Sequence, residues 1–309
     1  MDRQGILLES GTNEVEIMEF LLREQRFGIN VAKVRQIIQF DPAKLSALPN
    51  SKPAAMGVYL HRNQTIPLID LGKILDIKGA YNTEKPLVMI CEFNMKIYGF
   101  YVDGVKRIHR VSWNQIQPMS EILGQRNTFI ISTITLESHE VLIADLEYII
   151  STLDPESDSI FNTDEVVEDV KEREKSLKLV IVEDSGFIRN KILKSLTASG
   201  FEHVEAFSDG RQAYDAITSY IEKAKSENRK LSDYCDMVIT DIEMPKMDGL
   251  TLCKLLRETL NLRDLKIVIY SSLINEEMAR KCQKVGADSY ASKPKIADLV
   301  NIIHDITGK

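Results

Sequence analysis

The stretch "MVITDIEMPKMDGL", Met237–Leu250, decides the fold of the second half of this chain. Its opening run of apolar and β-branched residues stops at Asp241; Glu243 follows two residues later, and Pro245 and Gly249 punctuate a turn into helical apolar spacing. A short continuous apolar run marks a strand buried on both faces, and Pro and Gly mark the tight connection after it. A strand that delivers a carboxylate to its tip and then turns into a helix is one βα unit.

Four more such units surround it. Upstream, "LKLVIVEDS" leads into the helical "GFIRNKILKSLTAS", closed by Gly200, and "FEHVEAFS" leads into "GRQAYDAITSYIEKAKSEN". Downstream, "LKIVIYSS" precedes "NEEMARKCQKVG", and "DSYASKP" precedes "IADLVNIIHDITG". Five βα units in succession predict an open, doubly wound parallel sheet, whose chemistry belongs at the carboxyl ends of its strands. Those ends carry Glu183 and Asp184, Asp241, Ser271 and Lys293. Any one of the acidic residues, taken singly, reads as a helix cap or a solvated loop residue. Together they are a set: crowded carboxylates favour a hard, oxygen-liganded cation such as Mg²⁺, and Lys293 adds a compensating charge. A carboxylate beside a divalent cation and an ammonium can act as nucleophile toward a phosphoryl group.

Residues 177–307 resemble a response-regulator receiver domain through "VEDS", "DIEMPKMDG", "YSS" and "YASKP", in that order. The resemblance implies a flavodoxin-like (βα)5 fold with strand order 2-1-3-4-5. It makes Asp241 the phospho-acceptor, with Mg²⁺ held by Glu183, Asp184, Asp241 and the backbone carbonyl of Glu243. Ser271 is then the switch hydroxyl, Tyr290 the switch aromatic, Lys293 the phosphate-contacting lysine, and Lys293–Pro294 a cis peptide. The acidic Glu243 and the leucine at Leu273 stand where the family tunes loss of the phosphoryl group, so a lifetime unlike that of the fastest regulators is expected. "SYIEKAKSENRKLSDY" lengthens the second helix and its loop, an insertion of the kind surfaces tolerate.

At 309 residues the chain has room for two domains, and its formal net charge of -7 speaks against nucleic acid as a partner. The N-terminus carries no basic region followed by an apolar core, and the longest apolar runs are strand-sized, so a cytoplasmic protein without membrane insertion is expected. Four cysteines without a CxxC pair and five dispersed histidines suit reduced core thiols and ordinary packing rather than a metal cluster.

Residues 14–153 alternate short apolar segments with turns, the pattern of an all-β barrel or pair of barrels, with "VAKVRQII" and "LEYIIST" as short helices. No catalytic set is visible there; Asp70, Asp103 and Asp145 end strand-like runs and read as turn residues. In order, "FLLREQRFGINVAKVRQII", "MGVYLHRNQTIPLIDL", "YGFYVDGVKRIHRVSWNQIQP" and "FIISTITLESHEVLIADLEYII" are similar to the CheW-like coupling domain of bacterial chemotaxis. That resemblance implies two small five-stranded barrels that bridge chemoreceptors and the histidine kinase CheA. Arg62 matches the arginine that precedes the family's P-x-I-D-L segment, where the resemblance implies a part in receptor coupling; taken by itself it reads equally as a solvated turn arginine. Val31 and Val34, with Ile38, share one face of the expected helix and supply part of a receptor-facing patch or of the core. Between the halves, residues 154–176 shift to acidic and polar composition and read as a linker, in part a charged helix capped by Thr163.

A CheW-like domain followed by a receiver is similar to the CheV type of chemotaxis protein. The expected function is an adaptor that couples chemoreceptors to CheA and is regulated by phosphorylation at Asp241, with no enzymatic activity beyond the receiver's own phosphoryl transfer and dephosphorylation. The alternative is a phosphate sink localised to the receptor array. A transcriptional regulator would need a basic helix-turn-helix, and an aspartate-nucleophile phosphatase a "DxDxT" run after the first strand; neither is present.

Overall fold

The computed structural model of the chain describes residues 13–49, 52–79, 85–93, 96–119, 129–136, 139–153, 172–293 and 296–307. Most of the expected linker, including Thr163, and Pro294 lie outside these residues. Two compact units are present, one built from residues 15–111 and 116–153 and the other centred on residues 172–307.

The first unit is all-β apart from short helical turns. Its strands are β1 (Glu14–Leu22), β2 (Gln25–Asn30), β3 (Val34–Gln39), β4 (Leu45–Ser46), β5 (Ala55–His61) and β6 (Gln64–Asp70), followed after α1 (Leu71–Ile74) by β7 (Leu87–Phe93) and β8 (Lys96–Val102). The strands β9 (Gly104–Ser112), β10 (Ile116–Pro118), β11 (Ile130–Leu136) and β12 (His139–Ala144) then lead to α2 (Leu146–Leu153). Two sheets result, ordered β10-β11-β12-β2-β1-β9 and β3-β7-β8-β6-β5-β4. Each of the two expected barrels thus rests on a sheet of six described strands, the sixth being a short end strand, β10 in one and β4 in the other. Alternating residues of β1, Met18, Phe20 and Leu22, pack with Phe27, Phe93 and Phe100 in one core; Tyr59, Leu68 and Val88 centre a second.

Two local expectations for this unit are corrected. "VAKVRQII" is not a helix: Val31–Lys33 is a single 3₁₀ turn and the rest is β3, paired antiparallel with β7. Its β-branched residues meet a partner strand, and that pairing outweighs the helical spacing. Val31 and Val34 are consequently half-buried against the first core, and the exposed apolar residue of β3 is Ile37. Asp103 is not a simple turn residue, and Asp70, which does cap the turn into α1 by accepting from the Lys73 amide, is more than one. Both are buried, and both are ion-paired with buried Arg23, whose guanidinium lies 3.4 Å from Asp103 Oδ1 and 3.9 Å from Asp70 Oδ1. Asp145 does cap a turn, accepting a hydrogen bond from the Tyr148 amide.

In the second unit α3 (Glu172–Lys175) precedes β13 (Lys178–Val182), α4 (Gly186–Ala198), β14 (His203–Phe207), α5 (Gly210–Ser226) and β15 (Met237–Thr240). There follow α6 (Gly249–Lys254), continued as a π-turn over Leu255–Thr259, then β16 (Lys266–Ser271), α7 (Glu276–Lys284), β17 (Ser289–Ser292) and α8 (Ile296–Thr307). The sheet is parallel throughout, ordered β14-β13-β15-β16-β17, which is 2-1-3-4-5 counted within the unit. Val180, Val238 and Ile267 fill the core on one face, while Leu179, Ile181, Met237 and Val268 fill the core on the other. Burial on both faces is why these strands read as unbroken apolar runs.

Candidate functional site

Each of the first three βα turns in the second unit is shaped by a side-chain cap. Ser185 accepts from the Ile188 amide at the start of α4, Asp209 from Gln212 at the start of α5, and Asp248 from Thr251 at the start of α6. These caps start the helices just beyond the strand ends and leave the residues before them gathered along one edge. Glu183 follows β13, where its amide donates to Phe207 O, and Asp241 follows β15, where its amide donates to Val182 O.

Lys293, just past β17, joins them. Its Nζ lies 2.7 Å from Asp241 Oδ2 and 2.7 Å from Glu183 Oε2, and all three side chains are buried. Asp241 Oδ1 accepts from the Ile242 amide at 2.6 Å. One carboxylate oxygen from each of Glu183, Asp184 and Asp241 lies within 4.8 Å of the others. Three carboxylates against one ammonium leave the pocket electron-rich, and burial opposes the charge. Burial, with the neighbouring Asp241 and Asp184 charges, holds the Glu183 carboxyl well above the ordinary glutamate range despite the pull of Lys293.

The donor set fits Mg²⁺. The second Glu183 oxygen, Oε1, is buried and accepts no hydrogen bond, so it is available to a ligand. Asp184 is only half-buried and opens the cluster toward solvent, as a cation that keeps part of its water shell requires.

Ser271 ends β16 fully buried, next to Lys293: the Lys293 amide donates to Ser271 O, and Ser271 Oγ accepts from the Leu273 amide. Tyr290, one strand over on β17, is half-buried against the core that contains Leu273. Glu243 is half-buried in the loop between β15 and α6. That loop closes tightly because Gly249 has no Cβ; one added there would sit 1.9 Å from Asp241 O. Glu183, Asp184, Asp241 and Lys293 are therefore one cluster, with Ser271 hydrogen-bonded beside it. In the other unit, Arg62 is exposed in the two-residue turn between β5 and β6, and Val31 and Val34 are half-buried.

Three neighbours of the cluster are not among the residues the sequence singles out. Arg189 on α4 donates from Nη1 to the carbonyls of Glu183 at 2.5 Å and Asp184 at 3.3 Å, tying down the acidic turn. Lys246, in the loop that follows Asp241 in the chain, is ion-paired with Asp209, the cap of α5. Helical spacing does place Arg189 one turn into α4, which is a local signal. The Lys246–Asp209 pair joins residues 37 positions apart and leaves no local trace.

The family model of the CheW-like domain matches residues 16–154, and that of the response regulator receiver domain matches residues 179–304. Chemotaxis protein CheV3 of Helicobacter pylori is 29% identical over 295 residues, covering 91% of this chain and 91% of that protein. Chemotaxis protein CheV2 of the same bacterium is 25% identical over 303 residues, covering 93% of each. Chemotaxis protein CheY of Treponema pallidum is 33% identical over 117 residues, covering 38% of this chain and 72% of that protein.

Proposed function

We propose, from the premise that this chain belongs to the CheV type of chemotaxis protein, a CheW-like domain joined to a response-regulator receiver, that it is a chemotaxis coupling adaptor whose receiver is phosphorylated at Asp241. Residues 14–153 form the coupling domain, 154–176 the linker and 177–307 the receiver. The coupling domain docks between chemoreceptors and the histidine kinase CheA at the cytoplasmic side of receptor arrays, with Arg62, Val31 and Val34 contributing to the contact. No helix among the described residues is long and apolar enough to cross a membrane.

The observation that carries the phosphorylation site is the buried Lys293 ammonium held at 2.7 Å from both Asp241 and Glu183. An Asp241 oxygen forms the new bond to phosphorus as the P–N bond of the kinase's phosphohistidine breaks, and water later returns the group as phosphate. Lys293 balances charge on the phosphoryl oxygens, and the Ser271 hydroxyl donates to one of them. Glu183, Asp184, Asp241 and the Glu243 carbonyl would hold Mg²⁺, which when bound would neutralise negative charge at the transferring group. Engagement of Ser271 draws on the space that Tyr290 occupies beside Leu273, and the two arrangements of that pair are the switch that alters contacts with the coupling domain or the array.

The test is to incubate the full chain with phosphorylated CheA and Mg²⁺ and to measure receptor binding before and after transfer. Acid-labile phosphate on the wild type but not on Asp241→Ala, with a changed affinity for receptor, is expected. Transfer without any change in affinity would instead support the phosphate sink. Persistent labelling of Asp241→Ala would refute the acceptor assignment.

A further inference from the structure

The loop between Asp241 and α6 is fastened to α5 by a buried charge. Asp209 caps α5 with one oxygen, Oδ1, which accepts from the Gln212 amide at 2.8 Å. Its other oxygen, Oδ2, is buried and accepts no hydrogen bond, and Lys246 Nζ lies 3.4 Å from it. The Asp209 side chain is wholly shielded from solvent, while that of Lys246 is 30% exposed. Capping alone does not call for a charge, since an asparagine caps a helix as well as an aspartate does. A buried carboxylate is unfavourable without a counter-charge, and among the described residues Lys246 supplies one within ion-pair range.

The backbone of Lys246 bears a cost of its own. It lies at φ +64, a conformation that glycine and asparagine adopt more readily than lysine. Met247, next in the chain, donates its amide back to Pro245 O at 2.7 Å, and its carbonyl approaches so close to Gly210 that a Cβ there would sit 2.5 Å from it. The crest of the loop is therefore pressed against the first residue of α5 by a strained turn, with the ion pair beside it. At the near end of the same loop stands Glu243, two residues from Asp241.

We propose that Lys246, through its ion pair with Asp209, is a positioning residue for the divalent-cation site: it fixes the crest of the loop and so the place of the Glu243 carbonyl relative to Glu183, Asp184 and Asp241. This rests on the assignment of that cluster as the cation site. Lys246 touches neither the cation nor the phosphoryl group; it acts through the backbone. The turn is already strained at φ +64, and breaking the ion pair removes one of the constraints that keep its crest in place.

The test is a double-mutant cycle on Mg²⁺ affinity, measured by isothermal titration on the full chain. The variants are Lys246→Met, Asp209→Asn, which keeps the cap, their combination, and Lys246→Arg. Each single change is expected to weaken Mg²⁺ binding by about three-fold or more, the double to be no weaker than the poorer single, and Lys246→Arg to restore most of the affinity. Thermal unfolding without Mg²⁺ supplies the control, because a merely structural pair would lower stability without shifting the affinity of the folded protein. Should Lys246→Met fail to fold, Asp209→Asn carries the same test. Single variants with less than about a three-fold loss, or losses that multiply in the double, overturn the inference while leaving the cation site standing. A wild type that binds no Mg²⁺ overturns both.

Discussion

Lys293 and Asp241 face each other across 2.7 Å of buried space, 52 positions apart in sequence, and Glu183 shares the same ammonium at the same distance. The two carboxylates are not equivalent partners. Deleting Asp241 leaves Lys293 still paired with Glu183 and removes one repelling charge, whereas deleting Lys293 leaves buried carboxylates facing one another. Asp241→Ala is therefore expected to fold with near-normal stability, and Lys293→Met to lose about 3–5 kcal/mol, the range for breaking a buried ion pair from one side. Mg²⁺ should recover much of the Lys293→Met loss, since a cation can stand in for the ammonium among the carboxylates. Chemical denaturation of both variants with and without Mg²⁺ checks this; equal destabilisation by the two substitutions would contradict it.

A second carboxylate gives the first unit an acid limit. Glu19 on β1 is buried, with His109 Nε2 2.7 Å from Oε2, His139 Nε2 3.4 Å from Oε1, and Arg26 bonded to Oε1. Burial pushes its pKa up, but the hydrogen bonds from His109 and Arg26 and the charges of Arg26 and His139 outweigh that, and the net value falls below the ordinary 4.5. A depressed folded value means the charged form is bound more favourably in the fold. The stabilisation is thus complete above the unfolded value and is lost as pH falls from about 4.5 through the folded value. Glu19→Gln should be less stable than wild type near neutrality, by about 1–3 kcal/mol, and the gap should close below that range. Urea midpoints for both proteins across the acid limb measure it, and a gap that stays constant would count against the role of Glu19.

How much of this was legible in the sequence follows from where each signal lives. Residues 177–307 were readable because a parallel sheet covered on both faces is written as continuous apolar runs: "LVIV", "MVIT" and "IVIY" scarcely alternate because neither face meets water. Their ends in turn named Glu183, Asp241 and Ser271, and the end of the less buried "SYAS" named Lys293. The first unit was readable only as a class. On β3 the residues Val34, Ile37 and Ile38 fit a helix stripe about as well as a strand, and pairing with β7 decided the matter. Arg23 was invisible because its partners Asp70 and Asp103 are 47 and 80 positions away, and a lone arginine after a strand ordinarily reads as solvated.

That buried arginine makes its own prediction. Arg23 lies between two carboxylates that are themselves almost wholly buried. Its loss would strand the Asp103 charge and leave Asp70 facing Lys73, a half-exposed lysine 3.8 Å away. Arg23→Met is expected to destabilise the first unit by about 3–5 kcal/mol. Replacing Asp103 by Asn in the same chain should recover part of the loss, because the stranded charge is then gone. Hydrogen exchange at β1 and β8 reports it. Exchange in β13 and β15 should not change, and unaltered protection in β1 would show that the cluster does not hold the unit together.

At Arg62 the demands of the backbone and of the proposed coupling contact can be separated. His61 and Gln64 pair across a two-residue turn in which Arg62 and Asn63 both take positive φ, +45 and +62. Such a turn suits the twist of a hairpin, and Asn is at home in it, but an arginine there bears a left-handed cost of about 1–2 kcal/mol that glycine does not. Part of that gain is offset by the greater freedom of glycine in the unfolded chain. Arg62→Gly should therefore leave the melting temperature unchanged or raise it slightly, and Arg62→Ala should lower it or leave it unchanged. If the exposed guanidinium makes the receptor contact, both variants lose receptor affinity by a similar factor despite their different effects on stability. Affinity that follows stability instead, kept in the glycine variant and lost in the alanine variant, would assign Arg62 to the hairpin alone and move the coupling contact elsewhere on the domain.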